Sequence, residues 1–198
     1  MSLADTLREA LALGHQRQVV LLEGDVMEPD GGGEPLPAAV LVPVVDRPEP
    51  TVILTERPMT MRKHPGQISF PGGRIDPGDD GPIAAALREA HEEIGLPPAC
   101  VEVIGIADVY RTITGFQVTP IVGVLPPDLD LRPHPSEVSD MFEAPLRFLL
   151  DPARHEIRSA IYQGRERHYY EIRWQGRRIW GATAAMIVNL SRRMELAA

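Results

Sequence analysis

The chain has 198 residues, of which 43% are hydrophobic, so it can bury a sizeable core and is not a disordered polypeptide. Its formal net charge of -8 argues against general binding to nucleic acid or to an anionic membrane, and an anionic substrate would need a few placed arginines or bound metal ions beside it. The one cysteine, Cys100, cannot form a disulfide within the chain, which fits a reducing cytoplasm, and no stretch approaches the roughly 20 apolar residues of a membrane-spanning helix.

The first 37 residues are predicted to form a helix and a flexible connector ahead of the main domain. Residues 2–14 have the spacing of a short amphipathic helix, with Ser2 as its N-terminal cap and Asp5 at the acidic position of a capping box. The early acids and the lack of a long apolar run argue against a signal peptide. Glycine and proline at 28–37 predict the connector.

Strands and helices interleave along the rest of the chain. Apolar runs and turn residues predict strands at 38–45 and 51–56, a long loop at 57–81, a helix at 82–94, strands at 101–110 and 116–125, a short helix at 141–150, a hairpin around Gln175 and Gly176, and a closing helix at 182–194. This order predicts an α/β or α+β fold with a mixed sheet.

The helix at 82–94 carries three glutamates within two turns. Its apolar side chains fall on one face and are expected to pack inward: Ile83, Leu87, Ala90 and Ile94. Glu89, Glu92 and Glu93 fall on the opposite side, within an arc of roughly 100°. A solvated acidic face is the common interpretation of such a pattern.

A divalent cation site is the sharper hypothesis for these glutamates. They lack lysine partners at four-residue spacing, and the small residues Ala85 and Ala86 share their side of the helix. Mg²⁺ takes oxygen ligands and would link the acidic protein to an anionic phosphate. Without a metal, at least one of the carboxylates should have a raised pKa.

The residues around this helix resemble the signature of the Nudix hydrolases. The run REAHEEIGL at 88–96 matches the second half of that signature. The first half departs from it, because there is one extra residue before Arg88 and Asp79 stands where a glutamate is expected. This departure puts Asp79 in question as a functional residue but does not affect the three glutamates.

The flanking segments are similar to the Nudix subgroup that hydrolyses coenzyme A. They are LTER at 54–57, RKHPGQ at 62–67, FPGG at 70–73, TG at 114–115, VTP at 118–120 and WGATA at 180–184. The resemblance implies one Nudix domain at 38–190, with a mixed β-sheet between helices and a C-terminal tail at 191–198. It implies metal-dependent cleavage of the pyrophosphate of coenzyme A or its thioesters, to phosphopantetheine and adenosine 3′,5′-bisphosphate.

The resemblance also assigns roles within the site. It implies Mg²⁺ or Mn²⁺ held mainly by Glu89 and Glu93, with Glu92 as a ligand or water contact and the carbonyl of Gly73 as a backbone ligand. Arg88 would orient the carboxylates. The general base stays open between Glu92, Glu93 and a later acid, for which Glu137 is the first candidate and Glu143 the second. A helix-start acid is the alternative interpretation of Glu137.

The basic loop ahead of the helix is the candidate for substrate binding. Arg57 and Arg62, with Lys63 and His64, would recognise the 3′-phosphate of the adenosine end. An ordinary exposed basic loop is the alternative interpretation. The glycines of the same segment, Gly66, Gly72 and Gly73, would let backbone approach the substrate.

Two other functions stay open at this point. One is a Nudix pyrophosphatase for another nucleoside diphosphate derivative, such as ADP-ribose, a dinucleotide or an oxidised nucleotide. The other is a non-catalytic nucleotide sensor with the same fold. The expected partner is a small molecule of the coenzyme A type, with no nucleic acid and no membrane, and the expected location is the cytoplasm. A homodimer is an expectation from the resemblance alone.

Overall fold

The computed structural model describes residues 1–24, 34–61, 64–162 and 164–195. Its helices, in chain order, are α1 (Leu3–Gln16), α2 (Gly81–Ile94), α3 (Leu146–Leu150) and α4 (Ala182–Met194). Its strands are β1 (Leu36–Val45), β2 (Thr51–Glu56), β3 (Ile68–Ser69), β4 (Gly72–Arg74), β5 (Glu102–Ile106), β6 (Tyr110–Arg111), β7 (Phe116–Leu125), β8 (Asp140–Pro145), β9 (Glu156–Tyr162), β10 (Arg165–Trp174) and β11 (Arg177–Trp180).

The strands of the described residues form two sheets. Eight of them form a mixed sheet with the order β3-β2-β1-β7-β5, to which β4 adds beside β1, β6 beside β7 and β8 beside β2. The central pair, β1 and β7, is parallel over ten positions, and the other pairs are antiparallel. The second sheet has the order β11-β10-β9.

Both faces of the central strands are buried, because helices cover the large sheet on each side. On β1, Leu41 and Val45 pack in one apolar cluster with α2, whereas Val42 and Val44 pack in the other cluster with α1, α3 and α4. Such two-sided burial explains why β1 reads as a nearly continuous apolar run rather than an alternating one. The predicted mixed sheet between helices is confirmed.

The N-terminal helix belongs to this core. Ser2 and Asp5 form the predicted capping box, in which the Asp5 N–H donates to Ser2 Oγ and the Ser2 N–H donates to Asp5. Leu7 and Leu11 are buried in the same cluster as α4. Most of the connector predicted at 28–37, namely residues 28–33, lies outside the described residues, and β1 already begins within its last two positions.

Three sequence predictions about elements were wrong. The segment predicted as one loop at 57–81 contains β3 and β4, which exist because β2 and β1 supply their pairing partners. The segment predicted as a helix at 141–150 is a strand followed by one helical turn, since β8 pairs with β2 over six positions. Strand β9 was not predicted at all.

The inward face of α2 also differs from the prediction. Of the four residues predicted to face inward, Ala90 and Ile94 are fully buried and the other two only partly, whereas Ala85 and Ala86 are fully buried as well. The helix is therefore rotated so that the side with the small residues faces β1, and Glu93 turns inward with them. No helix in the described part of the chain is long and apolar enough to cross a membrane.

Candidate active site

The candidate site lies where α2 crosses the short strand β4. Pairing with β1 holds Gly72 and Gly73 against the helix. A Cβ atom at Gly73 would lie less than 3.0 Å from the Glu89 carboxylate, closer than side chains normally approach, so any other residue there would displace that carboxylate. The Gly72 N–H donates a hydrogen bond to Glu93 Oε2 at 3.1 Å.

Glu93 is a buried carboxylate, with 4% of the residue exposed. Burial raises the pKa of Glu93 to about 7, and the nearby acids Glu89 and Glu137 add to the rise, while the Gly72 N–H and the charge of Arg57 oppose it. The pKa of Glu89 is also raised, chiefly by burial. The predicted raised pKa among these carboxylates is therefore confirmed.

Arg88 donates hydrogen bonds to three carboxylates around the helix. Its Nε and Nη2 donate to the two oxygens of Asp79 at 2.9 and 3.0 Å, and its Nη1 donates to Glu89 at 3.0 Å and to Glu92 at 3.2 Å. The bidentate contact holds the pKa of Asp79 below its usual value and that of Arg88 above. This is the geometry that an orienting role for Arg88 requires.

The sequence left the role of Asp79 open, and the structure gives it a structural contact. Besides receiving Arg88, its carboxylate accepts the N–H of Asp76 at 2.8 Å, and the side chain is 7% exposed. Asp79 therefore fixes the turn that leads into α2. The signal for this contact was an acid close to the expected position in the signature, ahead of an arginine.

The donors at the site are oxygens, as hard divalent cations prefer. In the conformation described, Arg88 occupies oxygens of Glu89 and Glu92, and among the described residues no three His, Cys, Asp or Glu side chains converge as a metal cluster. Glu93 keeps one oxygen on the Gly72 N–H. A carboxylate buried at this depth with a raised pKa is a group that a cation would stabilise, so the chemistry of the donor set fits Mg²⁺ or Mn²⁺.

Glu137 lies close enough to the helix glutamates to raise the pKa of both Glu89 and Glu93. Its turn is tied down at both ends, since the His134 N–H donates to the Glu93 carbonyl and the Ser139 N–H donates to the Glu56 carbonyl, each at 2.8 Å. Residues 135–137 form a turn, so the alternative of a helix-start acid was wrong. The side chain itself is exposed.

Glu143, the second candidate base, is engaged elsewhere. Arg47 donates to its two oxygens at 2.9 and 3.0 Å, and Thr51 Oγ1 donates to it as well. The hydrogen bonds from Arg47 lower the pKa of the Glu143 carboxyl. These contacts give Glu143 a role in joining β8 to the β1–β2 turn.

Arg57 stands at the end of β2, beside Glu93. Its backbone N–H donates to the Gln67 carbonyl at 3.0 Å, and its carbonyl accepts the Gly66 N–H at 3.1 Å, which closes the basic loop. Its side-chain Nε is buried and, among the described residues, meets no hydrogen-bond acceptor. Gly66 has φ +65°, a conformation that favours glycine.

The other predicted residues of the basic loop are either exposed or outside the described residues. Arg62 and Lys63 lie outside the described residues, and His64 is exposed. Phe70 is buried in the core.

Sequence reasoning did not find Arg177, which lies on β11 far along the chain. It donates to Glu56 at 2.9 Å and to Asp140 at 2.6 Å, and its guanidinium stacks 4.2 Å from the centre of the Phe142 ring. Arg177 thus joins the second sheet to the strand that carries Arg57. No local pattern marked it, because all of its partners are distant in sequence.

The chain matches one protein-family model and several known proteins. Residues 35–166 match the family model described as the NUDIX domain. The chain is 45% identical over 170 residues to "Uncharacterized Nudix hydrolase NudL" of Shigella flexneri serotype 5b, covering 84% of this chain and 88% of the relative. It is 46% identical over 155 residues to the NudL of Escherichia coli K12, covering 78% and 80%.

Among solved structures, a Nudix hydrolase from M. Smegmatis, RenU, superposes with a TM-score of 0.52 at 24% identity, over 64% of this chain and 81% of that one. This similarity concerns the fold. Members of the family generally use divalent metals such as Mg²⁺ or Mn²⁺. The family match and the NudL relatives show that this chain belongs to the NUDIX domain family and is a Nudix hydrolase, an enzyme for pyrophosphate-containing substrates.

Proposed function

We propose that this enzyme hydrolyses the pyrophosphate of coenzyme A or its thioesters, with Mg²⁺ or Mn²⁺ as cofactor. Water adds to one phosphorus, the bridging P–O bond breaks, and the products are phosphopantetheine, or its acyl form, and adenosine 3′,5′-bisphosphate. The observation that carries the proposal is the position of Arg57. The Arg57 Nε–H meets no acceptor in the described part of the chain, and the charge of Arg57 acts on the buried Glu93, so this guanidinium is a donor left for an anionic substrate.

The sequence around Arg57 supports the choice of substrate. The loop that begins at Arg57 and ends at Gly73 carries the motifs that resemble the coenzyme A subgroup. Both ends of this loop lie at the candidate site, since Gly66 hydrogen-bonds Arg57 and Gly73 packs on Glu89. A group bound by the loop would therefore be presented to the helix glutamates.

Glu89, Glu93 and the carbonyl of Gly73 would hold the metal, with Glu92 as a further ligand or a water contact. When bound, the metal would lower the pKa of a water and neutralise charge on the pyrophosphate. Arg88 keeps the carboxylates in place, as its bonds to Asp79, Glu89 and Glu92 indicate.

Glu137 is the base that we favour. Its exposed carboxylate can reach a water, and its electrostatic effect on Glu89 and Glu93 indicates that it stands at the same site.

The test is a substrate panel with Mg²⁺ and with EDTA, with products separated by chromatography. The panel holds coenzyme A, dephospho-coenzyme A, acetyl-coenzyme A, ADP-ribose, NADH and nucleoside triphosphates. Metal-dependent release of adenosine 3′,5′-bisphosphate in preference to the other products is expected. Preferred turnover of ADP-ribose or NADH would overturn the substrate, and no turnover of any compound would favour a sensor.

Two variants separate the site from the substrate loop. Glu93→Gln should abolish metal-dependent turnover of every substrate while circular dichroism stays native, and near wild-type activity would overturn the metal site. Arg62→Ala should reduce turnover of coenzyme A more than that of its 3′-dephospho form. Equal losses on the two substrates would remove the 3′-phosphate contact.

A further inference from the structure

Strand β9 forms an exposed edge of the three-stranded sheet. It pairs with β10 on one side only, so within the described residues its other side has no strand partner. Residues 156–161 are all exposed, and two of them are large and apolar: Ile157 is 62% exposed and Ile161 80%. Edge strands normally avoid pairing through charged side chains, proline or a bulge. Strand β9 has no lysine or proline, pairs with β10 in unbroken register, and its two charged residues, Glu156 and Arg158, form an ion pair with each other.

The hydrogen-bonding groups of this edge are arranged for a further strand. On β10, Trp174 pairs with Arg177 across a two-residue turn, which closes on a hydrogen-bonded pair, and the Gly181 N–H donates to the Tyr170 carbonyl. The even-numbered residues of β10 thus bond β11, and its odd-numbered residues, which pair with the even-numbered residues of β9, bond β9. The even-numbered residues of β9 therefore bond β10. The odd-numbered residues, Ile157, Ser159 and Ile161, direct their backbone N–H and C=O groups outward.

The sequence of β9 is self-complementary about its middle residue. When two copies pair antiparallel with Ser159 opposite Ser159, each Ile157 lies opposite the Ile161 of the other copy, and all seven residues of both strands overlap. Arg158 then faces Ala160, so no like charges stand directly opposite each other. Each Arg158 also carries its own carboxylate partner, Glu156, on the same strand.

Other registers that keep the apolar side chains on one face are poorer. A shift of two residues in one direction sets Arg158 against Arg158, and the same shift in the other direction pairs Ile161 with Ser159. A larger shift that sets Ile157 against Ile157 pairs Glu156 with Arg158 but leaves Ile161 beyond the partner strand. Only the register centred on Ser159 covers both isoleucines with apolar partners over the whole strand.

We propose that two copies of this chain dimerise through β9, centred on Ser159, so that their three-stranded sheets join into one six-stranded sheet. The partner is a second copy because a two-fold axis at Ser159 satisfies the outward backbone groups and the apolar side chains of both strands together. Strand β9 carries no residue of the candidate site, so this proposal does not rest on the proposed substrate.

Sedimentation velocity of the full chain is the first test. The wild-type protein should sediment as a particle of about twice the 21.8 kDa of one chain. Ile161→Lys should shift it to the monomer mass without changing the circular dichroism. The matched control is Val20→Lys, since Val20 is 85% exposed in another part of the molecule and should leave the dimer intact.

A disulfide test reports the register. In a Cys100→Ser background, Ser159→Cys should cross-link two copies under mild oxidation, because hydrogen-bonded antiparallel partners have Cα atoms about 5.5 Å apart, within disulfide range. Arg158→Cys should not, since its two copies would be diagonal neighbours, about 7 to 8 Å apart.

Any of four results would overturn the proposal. In sedimentation, these are a monomeric wild-type protein, a dimer that survives Ile161→Lys, or an equal loss of the dimer with Val20→Lys. In the disulfide test, it is preferential cross-linking of Arg158→Cys.

Discussion

Single residues at the β4–α2 contact decide the geometry of the site. Gly73 leaves no room for a side chain beside the Glu89 carboxylate as it stands, and Gly72 supplies a backbone donor to Glu93. Glu93 is held where ionisation is unfavourable, so the site of the metal-free protein carries an electrostatic cost that a cation would remove. Two predictions follow from these contacts.

Gly73→Ala should lower turnover by about 100-fold, because the new methyl group must displace the Glu89 carboxylate, and misplacement of a catalytic group by about 1 Å can cost that much. The steady-state rate with saturating Mg²⁺ measures the effect. Gly78→Ala is the matched control, since a Cβ there would meet no atom within 4 Å. Equal rates for the two variants would contradict the close contact.

Glu93 should make the stability of the metal-free protein depend on pH. Its folded pKa of about 7 lies above the ordinary 4.5, so its stabilising contribution is complete below pH 4.5 and is lost as pH rises through 7. In EDTA at pH 8, Glu93→Gln should therefore have a higher free energy of unfolding than the wild type, by up to about 3 kcal/mol. The difference should shrink at pH 5.

Urea unfolding in EDTA at both pH values gives this comparison. Glu92→Gln, on the exposed side of the same helix, serves as the control and should show no gain of that size at pH 8. Parallel pH profiles for Glu93→Gln and the wild type would exclude an ionisation cost at Glu93.

At the level of elements, those with local signals were predicted well. Helix α2 was predicted at 82–94 and spans Gly81–Ile94, with Gly95 in the left-handed conformation that ends it. The hairpin turn at Gln175 and Gly176 has positive φ at both residues, which is what a two-residue type I′ hairpin turn requires. Periodicity, caps and turn residues all act within a few positions, so a single sequence contains them.

Other features depend on contacts between distant segments, and the sequence alone did not yield them. Strands β3 and β4 have two and three residues and exist through pairing with β2 and β1. The burial of Glu93 depends on how α2 is rotated against the sheet. The three-glutamate pattern identified the candidate site. The burial of its carboxylates, the Arg88–Asp79 contact and the position of Glu137 near the helix depend on how distant segments pack, so the sequence alone did not predict them.

The N-terminal helix gives a prediction at this scale. Because Leu7 is 1% exposed and packs in the core with α4, Leu7→Ala should lower the free energy of unfolding by about 2 to 5 kcal/mol. Leu13→Ala, at a position that is 52% exposed on the same helix, should cost less than about 0.5 kcal/mol. Urea denaturation measures both, and similar small losses would show that α1 is an appendage.

For the whole molecule, an acidic protein must bind an anionic substrate. The formal net charge is -8, and the candidate site adds a buried carboxylate to that charge. The few arginines at the site are partly committed, since Arg88 is bound to acids of the protein. A divalent cation would reverse the local charge and make the site attractive to a pyrophosphate.

Mg²⁺ should therefore stabilise the protein as a whole. A ligand that binds only the folded state at about 100 times its dissociation constant adds about 2.7 kcal/mol, so the melting temperature should rise by several degrees in Mg²⁺ relative to EDTA. Glu89→Gln should lose most of this rise. Glu102→Gln makes the same charge change at an exposed site and should keep it; equal rises for both variants would place the cation elsewhere.

The parallel pairing of β1 with β7 bears on how the chain reaches this structure. Every pair in that register joins residues 80 positions apart, from Leu36 with Phe116 to Val45 with Leu125. During synthesis β1 emerges early and has to wait for β7, while the segment between them, which includes α2, is made. Closing so large a loop is slow, and the centre of the sheet forms only when it closes. Helix α2 packs against this centre, with Ala86 and Ile94 in one cluster with Ile121, so we expect its glutamates to gain their final arrangement in a late step of folding.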